Sequence, residues 1–163
     1  RADGETELDT IRQELRDSGY LRRSSRSTPG KKQPKIQKIP YLRYRSTDGY
    51  LILCGRNNLQ NDRLTIKEAE KQDIWLHTQK IPGSHVIIRG VGENIPDATL
   101  EEAAAIAAYN SKGRASSKVP VDYTRVRNVR KPNGSKPGMV IYETYHTILA
   151  EPDEELVRSL EEK

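Results

Sequence analysis

The stretch DIWLHTQKIPGSHVIIR, residues 73–89, decides how this chain folds. It holds two short runs rich in β-branched and aromatic residues, joined by a loop containing Pro82-Gly83, which is the signature of paired strands. Successive side chains of a strand point to opposite faces. Ile74 and Leu76 therefore share one face, and Asp73, Trp75 and His77 share the other. Val86 and Ile88 are opposed in the same way to His85, Ile87 and Arg89. If the aliphatic sets form the core, the second face carries Trp75, His77, His85 and Arg89. Flat rings beside a cation are what unpaired bases stack on. The same face also reads as a second core beneath a covering element, with the histidines as hydrogen-bonded struts.

Working outward, YLRYR (41–45) and YLILC (50–54) flank a turn with Asp48-Gly49 at its bend, which predicts a β-hairpin. GRNNLQND (55–62) is turn chemistry. Thr65 and Glu68 have capping-box spacing and predict a short helix through Lys71. Thr99 and Glu102 repeat that spacing ahead of TLEEAAAIAAYN (99–110), a helix whose small face of Leu100, Ala103, Ala104 and Ala107 suits close packing on a sheet. SKGRASSKVP (111–120) is a basic loop. VDYTRVRNVR (121–130) and MVIYETYHTIL (139–149) predict a hairpin with a long loop that includes Lys136-Pro137-Gly138. A last short helix is expected from Glu154 to Leu160. Strands grouped in hairpins and interrupted by helices predict an α+β domain over 39–163, a mainly antiparallel sheet with packed helices.

Two segments precede it. Leu8, Ile11 and Leu15 lie at helical spacing among charges, so 1–22 reads as the end of a coiled-coil-like helix. Residues 23–38 form a basic linker with almost nothing apolar to bury, and 23–36 are expected to be extended or poorly ordered. This linker serves either as an arm along a phosphate backbone or as a solvated hinge. The chain begins at Arg1 without Met, as a fragment of a longer protein would.

The net charge of +5 conceals a division. Residues 1–17 hold six acids and three bases, and residues 150–163 hold six acids and two bases, leaving the middle with 23 bases against 11 acids. Such an excess attracts polyanions, of which nucleic acid is the commonest. The cations concentrate at Lys112, Arg114, Lys118, Arg125, Arg127, Arg130, Lys131 and Lys136, a stretch with the single acid Asp122. Arg125 and Arg127 are expected to share a strand face, and the 112–118 loop to share an edge with them. These residues are either phosphate contacts or a solvated rim.

Other chemistries find little support. The lone Cys54 excludes an internal disulfide and a Cys-rich zinc site. The three histidines do not have metal-site spacing, and no glycine-rich nucleotide loop is present. Asp73, His77 and Ser84 have only the loose proximity that any three such residues can have. No catalytic residue, metal or cofactor is therefore expected, and no apolar run is long enough to span a membrane.

Several ordered motifs carry a resemblance. They are the GRNN turn (55–58), D-I-W-L-H, P-G-S-H, the Ala-rich helix running into Tyr109-Asn110-Ser111, Val121-Asp122-Tyr123-Thr124 and Lys136-Pro137-Gly138. From about Tyr41 to Pro152 the chain resembles the NFACT-R domain, found toward the C-terminal end of NFACT proteins. Residues 5–22 resemble the end of that family's coiled-coil region. The resemblance implies a cytoplasmic protein that binds the large ribosomal subunit carrying a stalled peptidyl-tRNA, recruits charged tRNA and helps to add a C-terminal tail to the nascent chain. The family's N-terminal domain, which carries the tRNA-selecting residues, is absent here, so the resemblance implies rRNA or tRNA contact rather than tailing by this chain. Some bacterial members are labelled fibronectin- or fibrinogen-binding, which implies an alternative role as an adhesin domain at the cell surface.

Overall fold

A computed structural model describes residues 40–162. The chain divides into units 1–40 and 41–163, and the account below concerns the second. The coiled-coil-like helix expected over 1–22 and the basic linker expected over 23–38 lie outside the described residues.

Six antiparallel strands form the main sheet: β1 (Leu42–Arg45), β2 (Leu51–Cys54), β3 (Ile74–Thr78), β4 (Val86–Ile88), β5 (Val119–Arg125) and β8 (His146–Ala150), in the order β1-β2-β4-β3-β5-β8. The α+β class expected from the sequence is the one observed. The hairpin of β1 and β2 turns where Asp48-Gly49 predicts: Gly49 has φ +94, and its N–H donates to the Ser46 carbonyl. Strands β3 and β4 pair Ile74 with Ile88, Trp75 with Ile87 and Leu76 with Val86. The alternation thus places each aliphatic pair on one face and the Trp75–Ile87 pair on the other.

Helix α2 (Asp97–Tyr109) covers the first face, joined by α3 (Glu154–Leu160). Its alanines from Ala103 to Ala108 are buried almost completely, all round the helix rather than along one stripe. The sheet takes one side of it and α3 packs on another. The capping box expected at Thr99 and Glu102 does not form, because both side chains are committed elsewhere. Thr99 Oγ1 donates to Asp48 Oδ2 and is hydrogen-bonded to the Ser46 hydroxyl, and Glu102 accepts from the N–H and hydroxyl of Thr47. The helix begins at Pro96 without a side-chain cap and holds the β1–β2 turn instead.

The second face is also closed. Leu53, Leu64, Trp75, Ile87, Val126 and Val129 form a separate buried cluster beneath two covering pieces. One is α1 (Asn58–Asp62), capped by Asn57 and continued as a π-helical turn over Arg63–Glu68. The helix expected to start at Thr65 therefore starts earlier, and the Thr65 hydroxyl is used against His85. The other piece is the excursion between β5 and β8. The expected strand 121–130 is broken by a 3-10 turn at Val126–Asn128, and a two-residue ribbon, β6 (Val129–Arg130) with β7 (Ile141–Tyr142), folds back over the face.

The chain enters and leaves the unit side by side. Glu162 N–H donates to the Arg43 carbonyl, its carboxylate meets Arg43 and Arg45, and Glu161 bridges Tyr44. This pairing occupies the free edge of β1, a way of blunting an exposed strand edge.

Candidate nucleic-acid interface

Residues Trp75, His77, His85 and Arg89 share a sheet face, as expected, but that face is not an open platform. Trp75 is wholly buried. The His77 ring lies parallel to it at 5.9 Å, the His85 ring edge-on at 5.5 Å and Tyr142 tilted at 4.6 Å. As the largest side chain of the second core, Trp75 cannot present its ring to an incoming base, so the expected stacking surface is corrected at this position. Arg89 places Nε 2.7 Å from Asp73 Oδ2, a close ion pair though not a well-aligned hydrogen bond. Asp73 also accepts from the N–H groups of Glu70 and Gly90, so Arg89 belongs to a buried turn-binding cluster.

His85 is a strut. Its Nε2 lies 3.0 Å from the Gly138 carbonyl, which can only accept, so Nε2 carries the proton. Nδ1 is then the acceptor for the Thr65 hydroxyl at 2.8 Å. Burial, helped by the neighbouring His77, lowers the His85 pKa to about 3. The neutral ring thereby ties the π-helical turn to the returning excursion. Gly138 is suited to this junction, with φ +85 and the Asn58 side chain where a Cβ would stand. Its N–H donates to Asp62 Oδ1. His77 is half-buried, and burial lowers its pKa as well.

The eight basic residues do not form one rim. Strand β5 separates them by roughly 20 Å, six steps of about 3.4 Å. At one end Arg125 directs its guanidinium to the carbonyls of Gln72, Gly92 and Glu93 at 2.7–2.9 Å, clamping two loops. Arg127 lies within the 3-10 turn that follows, so it does not share a strand face with Arg125; it is exposed. Arg130 is exposed and meets Glu143 at 3.5 Å. Lys131 is consumed internally by Asp62 and by the carbonyls of Lys136 and Met139.

At the other end Lys112, Arg114 and Lys118 are exposed on the loop after α2. Arg114 lies over the Tyr109 ring at 4.0 Å and donates to the Tyr109 carbonyl. Lys112 N–H donates to the Pro82 carbonyl, and Gly83 bridges Ser111, so this loop is bound to the 80–84 loop. Lys80 there is exposed with φ +63, the one non-glycine residue with positive φ among the described residues. Lys136 is exposed on the facing loop. The ammonium groups of Lys80, Lys112, Lys118 and Lys136 meet no partner among the described residues.

Of these lysines, Lys80 lines an open cavity of about 370 Å³. Trp75, His77, His85 and Tyr142 line its depth, Lys80–Pro82 one side and Gly138–Val140 the other. Tyr142 is held by Asp122, whose buried carboxylate also accepts from Gln79 and Thr147. Sequence reasoning missed Lys80, Met139 and Tyr142. Their only advance signal was membership of the turn motifs around Pro82-Gly83 and Lys136-Pro137-Gly138, because no local pattern shows that two loops 55 residues apart will face each other.

A sheet covered on both faces, with an open cavity where two loops meet and Lys80 in its lining, defines an α+β domain with a polar, partly cationic surface. Among the described residues no group of acids, histidines and cysteines is arranged to hold a metal ion, and no helix is long and apolar enough to cross a membrane. The chain belongs to the family of the NFACT protein RNA binding domain, whose family model matches residues 40–143. It is 48% identical over 155 residues to the Rqc2 homolog RqcH of Bacillus subtilis, a match covering 94% of this chain and 26% of that protein. It is 43% identical over 159 residues to the Rqc2 homolog RqcH of Streptococcus pneumoniae, covering 96% of this chain and 27% of that one. It is also similar to a solved structure of the C-terminal part of the fibronectin/fibrinogen-binding protein of Streptococcus suis. The TM-score is 0.76 at 41% identity, covering 95% of this chain and 60% of the other. The chain spans about a quarter of the length of the curated relatives it matches.

Proposed function

We propose that this domain is a non-catalytic RNA-contacting module of a cytoplasmic, ribosome-associated quality-control factor, touching rRNA or tRNA through the end of the sheet that carries Lys80, Lys112, Lys118 and Lys136. The observation that carries this is the contrast between committed and uncommitted cations. Arg125 and Lys131 are committed to internal carbonyls and carboxylates, whereas the four lysines are exposed and unpaired among the described residues. Unpaired cations are the ones able to displace counterions from a phosphate backbone. Any help with C-terminal tailing of stalled nascent chains belongs to the longer protein, with this module supplying RNA affinity to it. Neither a cofactor nor a metal is required.

The test is the salt dependence of binding to large-subunit RNA and to tRNA. Substituting Lys80, Lys112 and Lys118 by Ala should reduce the slope of log affinity against log salt by about 0.7–0.9 per lost contact. An unchanged slope would leave this end a solvated surface. A second reading, binding to fibronectin or fibrinogen, is favoured by the similarity to the fibronectin/fibrinogen-binding protein of Streptococcus suis. Saturable binding to immobilised fibronectin that survives high salt, without RNA binding, would select it.

A further inference from the structure

The cavity calls for more than phosphate contact. We propose that it receives one unstacked nucleobase of a single-stranded RNA segment while the flanking phosphates lie on Lys80 and Lys112. This rests on the RNA reading above and deepens it.

Size is the first argument. About 370 Å³ falls at the small end of ligand sites, which run from roughly 300 to 1,000 Å³, so it suits one ring system rather than an extended chain. The lining is the second. A base has apolar faces and polar edges, and here the half-buried His77 and the exposed Met139 both line the cavity. Met139 is 55% exposed, and its polarizable thioether is well suited to an aromatic face. A phosphate alone gains nothing from Met139.

An unpaired donor is the third argument. Trp75 is among the residues lining the cavity, and its Nε1, which has almost no accessible surface, has no acceptor among the described residues. A buried donor left unpaired is costly and uncommon, and a base edge carries carbonyl and ring-nitrogen acceptors. The fourth is backbone strain at the mouth. Lys80 adopts the left-handed conformation, which costs a non-glycine residue energy and tends to persist where a site needs a side chain placed in a particular way. Lys112 is held against the same wall by its bond to Pro82.

The single tryptophan makes the test direct, because Trp75 lies among the residues lining this cavity. The full 163-residue chain is titrated with a six-nucleotide single-stranded RNA, with the same oligomer carrying one abasic nucleotide at each position in turn, and with inorganic polyphosphate. The expected result is a saturable change in Trp75 emission with the intact RNA and not with polyphosphate, and roughly tenfold weaker binding for at least one abasic oligomer. Met139→Ala and His77→Ala should each weaken RNA binding several-fold with an unchanged salt slope. Lys80→Ala should lower the slope. Met139 is exposed enough that its variant tests the site even if His77→Ala misfolds. Normal RNA binding and slope in Met139→Ala, together with indifference to every abasic position, would overturn the nucleobase site while leaving RNA contact standing. Failure of the intact chain to bind RNA at all would overturn both.

Discussion

Tyr142 donates a 2.6 Å hydrogen bond to Oδ2 of Asp122. The two belong to different sheets: Asp122 lies in β5, opposite His77 of β3, and Tyr142 in the ribbon that folds back over the second face. This bond anchors the ribbon above Trp75, and a buried carboxylate sets the position of one cavity wall. Tyr142→Phe keeps the ring but leaves Oδ2 without its donor. Unfolding free energy should fall by about 1–3 kcal/mol. Chemical denaturation checks it, and a midpoint within error of the parent would show that Asp122 does not depend on the ribbon.

Acid should loosen this face first. The His85 pKa of about 3 lies below the ordinary value of 6.5, so the unfolded chain takes up a proton before the folded one does. The stabilisation is complete above about pH 6.5 and is lost as pH falls from there toward 3. His77 is shifted in the same direction and adds to the loss. Each such histidine contributes a slope of up to about 1.4 kcal/mol per pH unit. His85→Gln should be less stable at pH 7 but decline less steeply between pH 7 and 5. Parallel melting-temperature profiles for variant and parent would refute the assignment.

Arg125 and the lysines should separate stability from binding. Arg125→Ala removes the clamp on three loop carbonyls and should cost about 0.5–1.5 kcal/mol while leaving the salt slope of RNA binding alone. The Lys80, Lys112 and Lys118 substitutions should do the reverse, changing stability by no more than about 0.5 kcal/mol. Thermal midpoints and salt titrations on the same preparations decide it. A salt slope reduced by Arg125→Ala would move the RNA contact to the other end of β5.

Trp75→Ala should destabilise by about 3–5 kcal/mol, as the removal of the largest buried ring in a core does. A variant that melts with the parent would mean the second face contributes no core packing.

Much of this was legible in the sequence where the period was clean. Ile74, Leu76, Val86 and Ile88 alternate strictly, and the sheet pairs them as read. The same alternation could not say what lay over Trp75, because its cover comes from residues 58–68 and 126–142, distant in sequence and irregular in form. Thr65, Thr99 and Glu102 show a second limit. Their spacing matches a capping box, but each found a tertiary partner, and a local motif carries no record of such competition. Arg125 and Arg127 looked like neighbours on a strand because nothing in TRVRN marks the 3-10 turn. The basic composition pointed to a polyanion, yet which cations remain free depended on carbonyls contributed by distant loops.

The contact of Glu162 with Arg43 has a topological consequence. Where a unit's first strand and last residues touch, its connectivity can be rewired. A short linker could join the neighbourhoods of Tyr41 and Glu162, and new ends could be opened at the exposed Asn133-Gly134 turn. The permuted protein would keep every strand pairing of the main sheet while cutting the 131–138 loop at the cavity's edge. The folding of the sheet and the tether that brings Gly138 to the cavity wall, joined in the natural order of the chain, would then become two separately adjustable properties.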